Sequence, residues 1–165
     1  MDTAVRHVLF LFLCTGNSAR SILAEALMGA LGKGRFRAHS AGSHPKGAVH
    51  PLALQTLRSM GVSTQGLRSK AWDEFASADA PSLDLVITVC DQAAGETCPF
   101  WPGAPVTVHW GMPDPAAITG DDAAEAFLDT ARMLKQHIER LLALPVDALD
   151  HPRAARRLIE AIGTS

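Results

Sequence analysis

The chain contains no tyrosine, only three cysteines, and aromatic residues at just 5% of its 165 positions. Three cysteines, Cys14, Cys90 and Cys98, cannot all pair internally at once and are too few for the disulfide framework of a small secreted domain. Long apolar runs are missing as well. The most apolar stretch, Val8 to Leu13, falls far short of the roughly 20 residues that span a bilayer, and no signal-peptide cleavage pattern follows it. The expectation is a cytoplasmic protein without a membrane anchor. A basic excess is also absent: 15 Lys and Arg stand against 17 Asp and Glu, for a net charge of −2. Such a balance offers nothing to neutralise a phosphodiester backbone, so nucleic acid is not an expected partner. What remains is an ordinary globular mixture, 47% hydrophobic and 19% charged, of a length that suits one domain.

Apolar periodicity divides the chain into strands and helices. His7 to Leu13 is a continuous apolar run ending at Cys14 and a polar turn, the pattern of a fully buried strand. From Ser21, Ile22, Leu23, Ala26, Leu27, Ala30 and Leu31 recur at three and four residues and predict a helix ending at Gly32 or Gly34. Phe36 to Ala41 reads as a strand, Gly42 to His50 as a loop, and Leu52 to Met60 as a helix closed by Gly61. Leu83 to Val89 and Val106 to Trp110 read as two more strands. A long helix is predicted from Asp121 and Asp122 to Leu144, where Pro145 breaks it, and a short one over Pro152 to Ile162. Alternating strands and helices predict an α/β fold, a four-stranded parallel sheet with helices on both faces. In such sheets ligands bind beyond the carboxyl ends of the strands, and there Cys14, Cys90 and Asp114 are expected to converge.

The turn Cys14-Thr15-Gly16-Asn17-Ser18-Ala19-Arg20-Ser21 joins a strand to a helix, so its backbone N–H groups can curl around an anion at the helix's positive end. Gly16 and Asn17 suit tight backbone conformations, and the planar fork of Arg20 can clamp two oxygens of a tetrahedral anion. The same field favours thiolate over thiol at Cys14 and makes it a candidate nucleophile. Ser21 is placed either to donate a hydrogen bond to that sulfur or simply to begin the helix. Taken alone, Cys14 reads as a small buried hydrophobe and Arg20 as a solvated helix residue; their spacing after a strand points instead to oxyanion chemistry. Gly32-Lys33-Gly34 follows a helix rather than opening one and fits no nucleotide-binding pattern.

The pattern Cys-x5-Arg-Ser directly after the first strand resembles the low-molecular-weight protein tyrosine phosphatase superfamily. Ala24-Glu25, Ser40-Ala41-Gly42, Cys90, Cys98-Pro99, His109-Trp110-Gly111 and Asp114-Pro115 resemble its arsenate reductase branch. That resemblance implies a phosphatase-like catalytic domain over residues 1–144, with residues 145–165 a C-terminal helical extension of unassigned role. It further implies Cys14 as nucleophile, an oxyanion site formed by Thr15, Gly16, Asn17, Ser18, Ala19, Arg20 and Ser21, and Asp114 as general acid. By the same resemblance Cys90 resolves an arsenic–cysteine adduct and Cys98 relays the disulfide outward. The substrate would be arsenate, with phosphate or sulfate as analogues. No tightly bound cofactor is implied; an external thiol, thioredoxin or glutathione with glutaredoxin, would close the cycle.

Taken singly, Cys90 reads as a core thiol at a strand end and Cys98 as a loop residue. A disulfide requires Cα atoms within roughly 4.4 to 6.8 Å, so Cys90 must lie at the rim of the cradle or move there. The segment Asp91 to Pro105 has the length of a functional loop, and Trp101 within it is expected to report a rearrangement. Cys90 and Cys98 stand eight positions apart, one more than is usual in thioredoxin-coupled members, which leaves the donor open. After Asp114 come Ala116 and Ala117, where phosphatases of the superfamily usually carry aromatic residues. Asn17, Glu25, Ser40 and Asp73 resemble potassium-binding positions of some reductases. Cys90, Cys98 and His109 lack the spacing of a structural zinc site, and no metal is assigned to catalysis. His44 and His50 are expected to face solvent. Phosphocysteine-based phosphatase chemistry and non-catalytic oxyanion binding are the alternatives to arsenate reduction.

Overall fold

The computed structural model describes residues 8–32, 36–77, 79–90, 101, 105–144 and 152–163. Strand β1 (Val8–Cys14) lies at the centre of a four-stranded sheet and pairs in parallel with β2 (Phe36–Gly42) on one side and β3 (Leu85–Thr88) on the other. Strand β4 (Val106–His109) completes the order β2-β1-β3-β4, again in parallel. β1 reads as an unbroken apolar run because both of its faces are covered. Val8, Phe10, Phe12 and Cys14 join one buried cluster, while Leu11 and Leu13 join the other.

The first face is covered by α1 (Arg20–Leu31), α2 (Pro51–Ser59), α3 (Ala123–Leu142) and α4 (Pro152–Ile162), whose apolar residues meet around Phe10 and Phe12. On the second face, a 3-10 turn at Trp72–Phe75 lays Phe75 against Leu11, Leu13 and Val86. Each aromatic or branched side chain removed from water in these clusters contributes about 1.5–3 kcal/mol.

Local chemistry sets the element ends. Asp121 and Asp122, the expected start of the long helix, form a separate 3-10 turn, Gly120–Asp122, and α3 proper begins at Ala123. At the N-terminal end of β3 the Leu9 N–H donates to the Asp84 carboxylate at 2.8 Å, a side chain taking the place of a backbone partner, and the ladder begins at Leu85. α4 is not a free appendage. Ala155, Ile159 and Ile162 are buried in the main core, and the fully buried Trp110 donates its indole N–H to the Ile159 carbonyl at 2.8 Å.

The chain leaves β1 toward β2 and later returns past it to β3 and β4, so the direction of progression reverses between β1 and β3. This is the crevice in which open parallel sheets bind ligands. Cys14 closes β1 at that point and Cys90 stands two residues beyond β3.

Candidate active site

The loop from Cys14 to Arg20 is anchored from outside. His44, Lys46 and His50 donate their backbone N–H groups to the carbonyls of Thr15, Gly16 and Ser18, each at 2.9 Å. In a planar trans peptide the N–H points opposite to the C=O, so this anchoring leaves the N–H edges of those units for an anion. Close approach of β2 makes the anchoring possible. A Cβ on Gly42 would stand 2.4 Å from the Thr15 carbonyl and 2.8 Å from that of Cys14, so no side chain fits there. Helix α1 begins without a capping side chain: Ala19 holds the N-cap position, and the first turn carries no acidic residue. Its unpaired amides and positive end are thereby left to a bound anion.

Asn17, fully buried, is the one non-glycine residue with positive φ (+44°) among the described residues. Its side-chain carbonyl accepts the Lys70 backbone N–H at 2.8 Å. An N–H can only donate, so this bond fixes the orientation of the amide, and the NH2 group then donates to Ser21 Oγ at 2.8 Å and Ser40 Oγ at 2.9 Å. Ser21 Oγ lies 3.0 Å from Cys14 Sγ. Because Ser21 accepts from Asn17, its own hydrogen is available to the sulfur, which it stabilises as an anion. Ser40 passes its hydrogen to Glu25 Oε1 at 2.5 Å.

Arg20 lies across the mouth of the loop. Its guanidinium donates to the Met112 carbonyl at 3.1 Å and faces Asp114 Oδ2 at 3.6 Å, while Asp114 Oδ1 accepts the Ala116 N–H at 3.0 Å. Asp114 is thus turned toward the oxyanion site from the β4 side. Cys14, Thr15, Gly16, Ser18, Arg20 and Asp114 line a cavity of about 240 Å³, and Ala116 forms part of its wall. That volume lies below the roughly 300–1,000 Å³ of sites for drug-sized ligands and suits a small anion. Cys90 is buried with its sulfur 3.8 Å from Thr15 Oγ1, one residue from the nucleophile position, and neither Cys14 nor Cys90 is in a disulfide.

A cysteine, an arginine six residues later and an aspartate from another loop around one anion pocket match a known architecture. The family model of low molecular weight phosphotyrosine protein phosphatases matches residues 9–153. The chain belongs to this family. The arsenate reductase of Halalkalibacterium halodurans is 37% identical over 111 residues, which cover 67% of this chain and 76% of that relative. A solved arsenate reductase in its phosphate-binding state is 28% identical with a TM-score of 0.68, over 82% of this chain and 97% of that one. The low molecular weight protein tyrosine phosphatase from T. tengcongensis is 25% identical with a TM-score of 0.64, over the same shares of the two chains.

Thr15, Gly16, Ser18, Ala19 and Arg20 line the cavity. Asn17 and Ser21 instead lie behind the loop and brace it. Cys98 lies outside the described residues, as does most of Asp91 to Pro105; Trp101 packs edge-on against Trp72 with ring centroids 6.2 Å apart. His44 is exposed at the cavity mouth. His50 is half-buried rather than solvent-facing: Nδ1 accepts the Leu52 N–H at 3.1 Å to cap α2, and the ring packs on Phe127 at 4.6 Å.

The potassium-like set does not fit a metal ion here. Asn17, Ser40 and Glu25 form one hydrogen-bonded chain, but among the described contacts none joins it to Asp73. Its cationic end is the Lys70 ammonium, 3.5 Å from Glu25 Oε1 and 3.0 Å from the Arg68 carbonyl. Burial pushes the Lys70 ammonium below the ordinary lysine range, against the opposing charge of Glu25. Sequence reasoning missed Lys70 and Lys46, whose side chain lies over Gly16 and lines the cavity, and named Gly42 only within a motif, without its packing role. A lysine in a polar stretch carries no sign that folding will bury it. A glycine ending a strand does hint at a close approach.

Proposed function

We propose that this protein is an arsenate reductase. The observation that carries the reading is a second thiol beside the oxyanion loop, the Cys90 sulfur 3.8 Å from Thr15 Oγ1. Phosphate-ester hydrolysis has no use for such a thiol, whereas reduction of arsenate needs one. Ala116 in the cavity wall supports the same choice, since it gives an aryl ring little to stack against. The arsenate reductases among its relatives agree with it.

In this mechanism the Cys14 thiolate attacks the arsenic of an arsenate held by Arg20 and the loop amides. An arsenate oxygen leaves as water with a proton from Asp114, and an S–As bond forms. Cys90 then attacks the Cys14 sulfur: the S–S bond forms, the S–As bond breaks, and its electron pair stays on arsenic, which departs as arsenite. The two electrons come from two thiols. Cys98 exchanges with Cys90 and frees Cys14, and an external thiol donor, thioredoxin or glutathione with glutaredoxin, reduces the resulting disulfide. Unbridged cysteines at 14 and 90 suit a reducing compartment such as the cytoplasm. Among the described residues no helix is long and apolar enough to cross a membrane.

The test is arsenite release by purified protein with each donor, for the native chain and for Cys14→Ser, Cys90→Ser and Cys98→Ser. All three substitutions are expected to abolish turnover. Arsenite formed equally well by Cys90→Ser rejects the mechanism. Hydrolysis of an aryl phosphate that survives loss of Cys90 and Cys98, without arsenite release, makes the protein a phosphatase. Oxyanion binding without any turnover makes it a binding module.

A further inference from the structure

The hydrogen bonds behind the oxyanion loop form one continuous path from a buried cation to the nucleophile. Lys70 Nζ faces Glu25 Oε1 at 3.5 Å, Glu25 accepts from Ser40, Ser40 and Ser21 both accept from the Asn17 amide, and Ser21 Oγ stands 3.0 Å from Cys14 Sγ. Each hydroxyl has a single hydrogen, so a donor on one side forces it to give its hydrogen on the other. Ser40 donates to Glu25 only while that carboxylate is a committed acceptor, and this leaves the Ser40 oxygen to receive Asn17. The second N–H of the same Asn17 amide is held toward Ser21, whose own hydrogen is thereby left for the sulfur.

A carboxylate inside a protein stays a strong acceptor only when its charge is compensated, and Lys70 is the cation in contact with it. Lys70 is 6% exposed, and its backbone N–H holds the Asn17 carbonyl as well, so one residue holds the path both at Glu25 and at its midpoint. We propose that Lys70 is a positioning residue for the Cys14 nucleophile: its ammonium faces the Glu25 carboxylate that takes the Ser40 hydrogen, its backbone N–H holds the Asn17 carbonyl, and together these keep the Asn17 amide oriented so that the Ser21 hydrogen is directed at the sulfur. A built-in cation also makes the site independent of a free metal ion at Glu25.

The inference rests on Cys14 as nucleophile, which the proposed function shares, but not on arsenate as substrate. The primary readout is therefore alkylation of Cys14 by iodoacetamide at neutral pH, in full-length protein carrying Cys90→Ser and Cys98→Ser, without oxyanion. Lys70→Met and Glu25→Gln should each slow alkylation, by roughly 2- to 30-fold. Because the two act on one path, the double variant should be no slower than the slower single. Alkylation of Lys70→Met at the native rate, or effects that multiply in the double variant, overturns the proposal. Should Lys70→Met fail to fold, the double variant, which buries neither charge, is compared with Glu25→Gln alone; equal rates support the path and a further loss refutes it. In the three-cysteine protein, Lys70→Met should lower kcat for arsenite release while KM for arsenate stays within about twofold, since Arg20 and the loop amides are untouched. A rise in KM alone refutes a role at the sulfur. Slowed alkylation in Lys70→Met, together with no arsenite release by the three-cysteine protein, would support this inference and refute only the reductase reading.

Discussion

Replacing Asn17 by aspartate changes one atom of the site and reverses its hydrogen bonding. The native side chain offers a carbonyl to the Lys70 N–H and an NH2 to the Ser21 and Ser40 hydroxyls, at 2.8, 2.8 and 2.9 Å. Aspartate retains the first contact, but toward the serines it presents an acceptor in place of a donor. Ser21 must then turn its only hydrogen to the new carboxylate, and Cys14 loses the hydroxyl donor 3.0 Å from its sulfur. A hydrogen bond to a charged group contributes about 1.5–3 kcal/mol, and each 1.4 kcal/mol is a factor of ten, so Cys14 should react about 10- to 150-fold more slowly. Added negative charge behind the loop acts in the same direction. The assay is alkylation of Cys14 in the Cys90→Ser, Cys98→Ser background, with thermal melting to establish that the variant is folded. Asparagine and aspartate both tolerate the left-handed backbone at φ +44°, so backbone strain does not confound the comparison. A folded Asn17→Asp protein that alkylates at the native rate refutes the donor role of Ser21.

Three further outcomes follow from the same structure. Ile159→Ala should cost about 2–5 kcal/mol through a cavity beside Trp110, which for a chain of this size lowers Tm by roughly 5–15 °C; a shift of a degree or less would mean that α4 adds little to the core. Burial holds His39 and His137 below the ordinary histidine pKa, with Arg140 adding to the effect at His137 and Glu25 opposing it at His39. The folded protein therefore binds fewer protons than the unfolded chain once pH drops through about 6.5, so stability should fall on acidification, and His137→Phe should flatten that fall in melts run across the range; an unchanged slope contradicts the assignment. Lys46→Ala removes an exposed cation from the cavity mouth. At about 1 kcal/mol for a solvated charge pair, it should raise KM for the oxyanion roughly fivefold with kcat unchanged, and a lowered kcat would place Lys46 in the chemistry instead.

Much of this site is written in short-range pattern. The apolar run ending at Cys14, the turn through Asn17 and the periodic helix after Ser21 identify the oxyanion loop, because a strand, a tight turn and a helix start are local events. The alternation of strands and helices likewise carries the sheet, and with it the expectation that Cys14, Cys90 and Asp114 meet at one edge. What the pattern could not carry is which distant polar group ends beside which. Asn17 reads as a turn residue and possible anion ligand, yet its amide braces the loop from behind, a role set by Lys70, 53 positions along the chain. Lys70 itself is held by partners distant in sequence: its carbonyl accepts the Gly42 N–H, its N–H donates to Asn17 and its ammonium faces Glu25. His50 reads as solvent-facing by composition, but Phe127 of α3 arrives from the other half of the chain to cover it.

The central claim is that thiols supply the two electrons that reduce arsenate, and a single turnover without external reductant tests it most directly. Fully reduced protein, with three titratable thiols, is mixed with excess arsenate, then both arsenite and remaining thiols are counted. One arsenite released and two thiols lost per chain, with a disulfide found by mass spectrometry among Cys14, Cys90 and Cys98, is the result this account predicts. All three thiols still titrating, with no arsenite formed, contradicts it.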